Sequence, residues 1–265
     1  MAHQDSTQQT LLKALSEVSQ ALSAGEEWHP SYQEQPEIFR QLLGFEAQLE
    51  QAVAGYLMGL SLRAPQYVDW SKVPEPLERL DASAVANKTD DVWKAEILDF
   101  NKAILDAITS IVALGGQAAE VQYGITLGIN TLSESVQKAS IEHSLKLIND
   151  VTDTNRRLIQ VAIKRGIKTG EDQAAVSARI RQIINNPKRA ELIAQTETVN
   201  AYQAGQYNFA VQTQASTKTW QAIPGACVLC APVDDDTVII TDAFENGKDL
   251  PGAHPRCRCN VRYNY

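Results

Sequence analysis

Four cysteines occur in 265 residues, and all four fall between Cys227 and Cys259. Cysteines that only fill a core would be spread along the chain, so this clustering points to a cross-linked or metal-bound unit. The first pair is Cys227-Val-Leu-Cys230, and 26 residues separate Cys230 from Cys257 in the run His254-Pro-Arg-Cys257-Arg-Cys259. A Cys-x2-Cys turn aims two thiolates at one centre, and a second pair from a distant turn completes a tetrahedron. Zinc suits soft thiolates and asks for no redox chemistry. Five donors (Cys227, Cys230, Cys257, Cys259 and His254) compete for four places, so four cysteines, or three with His254, both fit. The Cys-x-Cys half is less regular than the Cys-x2-Cys turn, which favours His254 in place of one member of that pair. One structural Zn2+ is the expected cofactor. Disulfides and free thiols are the other readings, the former suited to an extracellular particle rather than a reducing cell.

Other constellations offer less chemistry. Asp234-Asp235-Asp236 reads as an acidic turn, since adjacent acids in an extended segment do not face one point. No nucleotide loop, serine elbow or zinc-protease helix motif occurs. Four thiolate ligands leave no open place for water, so the expectation is not an enzyme. Glu197, with Arg189 on the same helix, is expected to cap, to pair with an arginine such as Arg258, or to stand exposed as helical glutamates often do.

Most of the chain must supply helices to position this cluster. Apolar residues recur at helical spacing over Gln8 to Leu22, then from Pro36 to near Pro65, with Ile38, Leu42, Leu49, Val53 and Leu57. Pro65, Pro74 and Pro76 with Trp70 mark a long connection. Helical pattern resumes over about Asp91 to Leu114, and Gly115-Gly116 reads as a break or kink. Residues 117 to 148 read as further helix, weakened at Gly124 and Gly128. A short helix from Thr154 to Arg165 is expected to end at Gly166. Helices follow over Glu171 to Ile184 and Pro187 to about Phe209. Short strands are expected at Lys218 to Ile223, Thr237 to Thr241 and Asn260 to Tyr265. The fold class is mainly α, with a helical body over 1–150 and a small α+β C-terminal module over 151–265. Within the module, helices run to about 210 and the strands and cysteines occupy 215–265.

The net charge of −8 disfavours a general nucleic-acid coat. The charge is uneven, however. Residues 1–60 carry 2 basic and 8 acidic side chains, whereas residues 156–192 carry 9 basic and 3 acidic ones. Arg156, Arg157, Lys164, Arg165, Lys168, Arg179, Arg181 and Lys188 are candidates for phosphate contact, with solvated helix faces as the plainer alternative. No run is long and apolar enough to span a membrane, and the N-terminus carries no secretory pattern.

The C-terminal residues carry a family resemblance. Arg189-Ala-Glu-Leu-Ile-Ala-Gln-Thr196-Glu197-Thr198, then Lys218-Thr-Trp220, the Cys227–Cys230 pair, Phe244-Glu-Asn-Gly247 and Pro251-Gly-Ala-His254-Pro255-Arg-Cys257-Arg258-Cys259 follow in order. This series resembles the phage Mu F-like head morphogenesis proteins over roughly residues 150 to 262. The resemblance implies a minor capsid protein of a tailed bacteriophage, assembled in the host cytoplasm and held in the head interior or at the portal vertex. Implied partners are the portal protein, a major capsid or scaffolding protein, and phage DNA during packaging or ejection. The resemblance marks Arg189, Glu197, Trp220, Phe244, Gly247, Pro255 and Arg258 as motif residues. Some relatives append a toxin or enzyme domain, for which the chain ending at Tyr265 is expected to leave no room. Two departures occur. Ile223-Pro224-Gly225-Ala226 lacks the Asp usual before the first cysteine, and Asp234 to Asp236 stand where a Gly is common. The alternative function is a metal-dependent DNA-processing enzyme or a plain DNA-binding module.

Overall fold

The structure, a computed structural model, describes residues 28–73, 84–252 and 254–265. The expected helix Gln8 to Leu22, and Pro74 and Pro76 of the expected connection, lie outside the described residues. Among the described residues, five α-helices precede a three-stranded sheet: α1 Pro36–Arg63, α2 Asp91–Tyr123, α3 Glu134–Thr169, α4 Gln173–Ile184 and α5 Pro187–Gln212, then β1 Thr217–Gln221, β2 Thr237–Ile239 and β3 Asn260–Asn264. The architecture is mainly helical with a small C-terminal sheet.

The helix ends follow local chemistry. Pro36 and Pro187 open α1 and α5 at the position where a missing N–H costs nothing. Asp172 caps α4 by accepting a hydrogen bond from the Ala175 amide at 2.8 Å. Gly124 (φ 66°) and Gly170 (φ 67°) terminate α2 and α3 in the left-handed conformation that glycine adopts without a Cβ penalty.

Helix α2 is the axis of the body, packing on α1, α3 and α5. Trp93, Phe100, Ile104, Ile108 and Ile111 are fully buried along it. Gly115-Gly116 does not break this helix, contrary to expectation. A Cβ on Gly115 would collide with the Tyr202 carbonyl of α5, and a Cβ on Gly205 would collide with the Val112 carbonyl of α2. The glycines are there because two backbones touch, and a helix tolerates glycine when packing rewards it. Gly166 is corrected in the same way. A Cβ there would strike Val176 of α4, and α3 runs on to Thr169. The expected short helix from Thr154 is therefore the second half of a 36-residue helix. The division drawn at residues 150 and 151 falls inside α3, where Val151 and Thr152 are buried. Residues 124–133 form a loop, not the expected continuation of helix.

The sheet is antiparallel in the order β2-β1-β3, with Trp220 opposite Val261 and Thr219 opposite Thr237. Its apolar residues make a core of their own. Ala210, Trp220, Cys230, Val233, Phe244, Cys257, Cys259, Val261 and Tyr263 cluster apart from the main helical core. Packing thus separates the two cores near residue 210, with α5 contributing to both.

Candidate metal centre

Two loops bring the sulfurs together. The first leaves β1 and turns tightly: the Cys230 amide donates to the Cys227 carbonyl at 3.0 Å, and the Ala231 amide donates to it at 2.9 Å. This turn aims both thiols to one side and leaves Val228 and Leu229 exposed at the tip. The second loop leads into β3. Gly252 there takes φ 94° against Asn200 of α5, where a Cβ would overlap the Asn200 amide. The Cys257 amide then donates to the His254 carbonyl at 3.1 Å, with Arg256 in a left-handed conformation at φ 60°.

The donors meet in two overlapping groups: Cys227, Cys230 and His254, and Cys230, Cys257 and Cys259. Within each, the ligand atoms lie within 4.8 Å of one another. Cys230 belongs to both groups. His254 Nε2 is 3.3 Å from Cys227 Sγ and 3.2 Å from Cys230 Sγ, and Cys230 Sγ is 3.9 Å from Cys257 Sγ. Tetrahedral zinc, with Zn–S near 2.3 Å and Zn–N near 2.0–2.1 Å, sets its ligands about 3.5–3.8 Å apart. The three measured separations lie close to that range. The sulfur–sulfur distance is also far from a disulfide bond of about 2.05 Å, and all four cysteines are free. His254 Nδ1 sits 2.9 Å from the Pro255 carbonyl. That contact fixes the proton on Nδ1 and leaves Nε2 as the lone pair facing the sulfurs, the usual support for a metal-binding histidine.

Burial and charge favour a cation here. Cys230, Cys257 and Cys259 are buried, and Cys227 is exposed. Hydrogen bonds from the Cys230 and Cys259 thiols pull the Cys257 thiol far below its ordinary range, helped by the Gly252 backbone and opposed by burial. The same contact with Cys257 pushes Cys230 up. A thiolate shared among these three sulfurs is the charge that a metal would neutralise. Asp234 and Asp236 are engaged elsewhere. Asp234 Oδ1 accepts from the Ala222 amide at 2.8 Å, and neither donor group includes an aspartate.

The loop is fixed to the helical body from both sides. Arg258, between two cysteines, grips Glu46 of α1 and donates to the Gln195 carbonyl of α5 at 3.2 Å. Its guanidinium lies 3.8 Å from the Trp28 ring centre. The Tyr32 hydroxyl donates to the Cys259 carbonyl at 3.1 Å. Gln203 of α5 donates to both the Tyr32 oxygen and Asn260 Oδ1 at 2.7 Å, and Asn260 donates to Ser31 Oγ at 2.7 Å. Sequence reasoning singled out Arg258 but missed Glu46, Tyr32, Gln203 and Asn260. Only the place of Arg258 between two buried cysteines hinted that an acid must meet it.

The other motif residues have structural partners. Trp220 and Phe244 stack edge to face at 5.1 Å in the small core. Gly247 turns at φ 72° and its amide donates to the Phe244 carbonyl at 2.8 Å. Glu197 does not pair with Arg258, whose guanidinium is taken by Glu46. Glu197 Oε2 instead lies 2.9 Å from His143 Nε2 of α3, off the line a hydrogen bond needs, and accepts from Asn200 at 3.2 Å. Arg189 is half-buried and donates to Asn155 Oδ1 at 2.5 Å. Of the basic series, Arg157, Lys164, Arg165, Lys168, Arg181 and Lys188 are exposed. Arg156 donates to the Ala86 carbonyl at 3.1 Å, and Arg179 pairs with Glu171. No helix of the described residues is long and apolar enough to cross a membrane.

No curated protein and no solved structure matches the chain. The family model described as Phage Mu protein F like protein matches residues 157–262, a segment that begins within α3, takes in α4, α5, β1 and β2, ends within β3, and contains all five metal-ligand candidates.

Proposed function

We propose that the chain is a structural, minor capsid protein of a tailed phage that acts in head morphogenesis at the portal vertex. One observation carries the reading: the segment similar to phage Mu protein F encloses a closed cluster of Cys and His donors that is bolted onto a helical body. The donors fit one structural Zn2+, held by Cys230 and three of Cys227, His254, Cys257 and Cys259. Bound zinc would stiffen loops whose own core is small. The helical body then supplies surface for the portal protein and for major capsid or scaffolding subunits. The exposed basic side chains of α3, α4 and the start of α5 face packaged DNA.

The donor chemistry speaks against the metal-dependent enzyme reading. Two overlapping groups sharing Cys230 offer five protein donors for four places, and catalytic zinc needs a place left open for water. The proposal is tested by locating the chain in assembled particles. Density for α1–α5 against the portal ring, in a map of heads carrying the full chain, is the expected result. Heads that assemble and package normally with the chain absent from the particle overturn it.

A further inference from the structure

Five donors stand around a centre with four places, so one of them is spare. Burial and reach decide which. Cys230, Cys257 and Cys259 are buried. Thiolates at that depth need a cation beside them, because an unpaired buried charge is costly. These three sulfurs form one donor group, and Cys230 Sγ lies 3.9 Å from Cys257 Sγ. They therefore take three of the four places. The fourth falls to Cys227 or His254, the two donors that share the other group with Cys230.

His254 is the better placed of the two. It is half-buried, and its Nε2 lies 3.2 Å from Cys230 Sγ. Its Nδ1 lies 2.9 Å from the Pro255 carbonyl, the contact that usually backs a ligating imidazole. It also shares a tight turn with Cys257, whose amide donates to the His254 carbonyl at 3.1 Å. Cys227 has the opposite character. It is exposed, beside a Val228 that is 88% exposed. Neither Cys257 nor Cys259 shares a donor group with Cys227 or His254, so the fourth ligand must close in on them. A thiol stands one bond beyond Cβ, and the Cys227 backbone is held by the Cys230 and Ala231 amides on its carbonyl. An imidazole carries Nε2 much farther from the backbone. A ring movement therefore serves His254 where Cys227 would need its turn rebuilt.

We propose that zinc is held by Cys230, His254, Cys257 and Cys259, and that Cys227 is a spare, solvent-facing thiol, the one cysteine of the cluster open to covalent modification while the metal is bound. This rests on the zinc reading above and adds to it a ligand set and a reactive position. Reaction with an alkyl halide is a simple displacement. The Cys227 sulfur forms a C–S bond, the halide leaves with the electron pair of the broken carbon–halogen bond, and the thiol proton passes to buffer. The buried sulfurs are closed to the same reagent.

The test treats the full chain, purified with its zinc, with iodoacetamide in the absence of denaturant. Native mass spectrometry counts zinc and carbamidomethyl groups, and peptide mapping locates the latter. Modification of Cys227 alone, on a chain that keeps its zinc, is expected. Two variants make the assignment independent of reagent access. Cys227→Ser should hold zinc against a chelator as the parent does, whereas His254→Ala should lose it at chelator concentrations that leave the parent loaded. A zinc-loaded chain in which Cys227 resists the reagent, or one whose zinc is expelled as Cys227 reacts, overturns the spare thiol and leaves the zinc reading standing. Zinc lost from Cys227→Ser but kept by His254→Ala does the same. A chain that never carries metal overturns the zinc reading itself, and this assignment with it.

Discussion

Arg258 and Glu46 stand 212 residues apart and form a two-toothed ion pair, Nη1 to Oε2 at 2.7 Å and Nη2 to Oε1 at 2.9 Å. Arg258 is 4% exposed. The pair joins the loop between Cys257 and Cys259 to α1, so the metal-ligand candidates and the helical body share one foundation. Planar, forked geometry is what arginine provides and lysine does not.

Breaking this pair should cost far more than a surface salt bridge. Arg258→Ala strands the Glu46 carboxylate and should destabilise the fold by about 3–5 kcal/mol. Arg258→Lys keeps the charge but loses the fork, and should recover only part of that. Urea denaturation of both variants against the parent protein measures the difference. Equal midpoints for all three would show that the pair contributes nothing.

The helix crossing makes an opposite pair of predictions for two glycines. Gly205→Ala forces α2 and α5 apart and should cost about 1–3 kcal/mol or more. Gly55, in the interior of α1, meets nothing within 4 Å of an added Cβ. Gly55→Ala should therefore stabilise the chain by up to about 1 kcal/mol through helix propensity and reduced unfolded-state freedom. Thermal unfolding of the two variants reads both signs.

One carboxylate should make the protein less stable as pH rises. Burial raises the Glu50 pKa above its ordinary 4.5, and the neighbouring Glu191 and Glu46 raise it further. Between 4.5 and the raised value the native chain holds a proton that the unfolded chain has released. The contribution is present below 4.5 and is lost as pH climbs through the raised value. Glu50→Gln should remove this slope and raise the unfolding midpoint at pH 7 relative to the parent. An unchanged midpoint at pH 7 and an unchanged slope across the acid range would refute the assignment.

Removing metal should loosen one core and spare the other. The module core around Trp220, Phe244 and the cysteines is separate from the helical core. With a strong chelator, backbone amides of residues 222–259 should exchange faster, while those of α2 and α5 stay protected. Hydrogen exchange followed by mass spectrometry separates this from global unfolding, in which all helices would lose protection together.

The parts of this fold visible in the sequence are those set by local chemistry. The proline starts at Pro36 and Pro187, the strands and the cysteine cluster depend on neighbours within a few residues. Gly115, Gly166 and Gly205 were not readable in this way, because a glycine that permits close packing and one that ends a helix are the same letter. The distinction lies in Tyr202, Val176 and Val112, residues of other helices. Glu46 was hidden for a related reason: on α1 it is one more partly exposed glutamate until Arg258 arrives from the far end of the chain. The pairing of Glu197 with His143 was likewise set by how α3 and α5 pack, not by spacing along either.

The claim that the cysteine module is held by one metal ion is tested most directly by native mass spectrometry of the full chain purified without added metal. The account predicts one zinc per chain, lost in Cys230→Ser because Cys230 belongs to both donor groups. A metal-free chain whose mass is lowered by the hydrogens lost in forming two disulfides would contradict it.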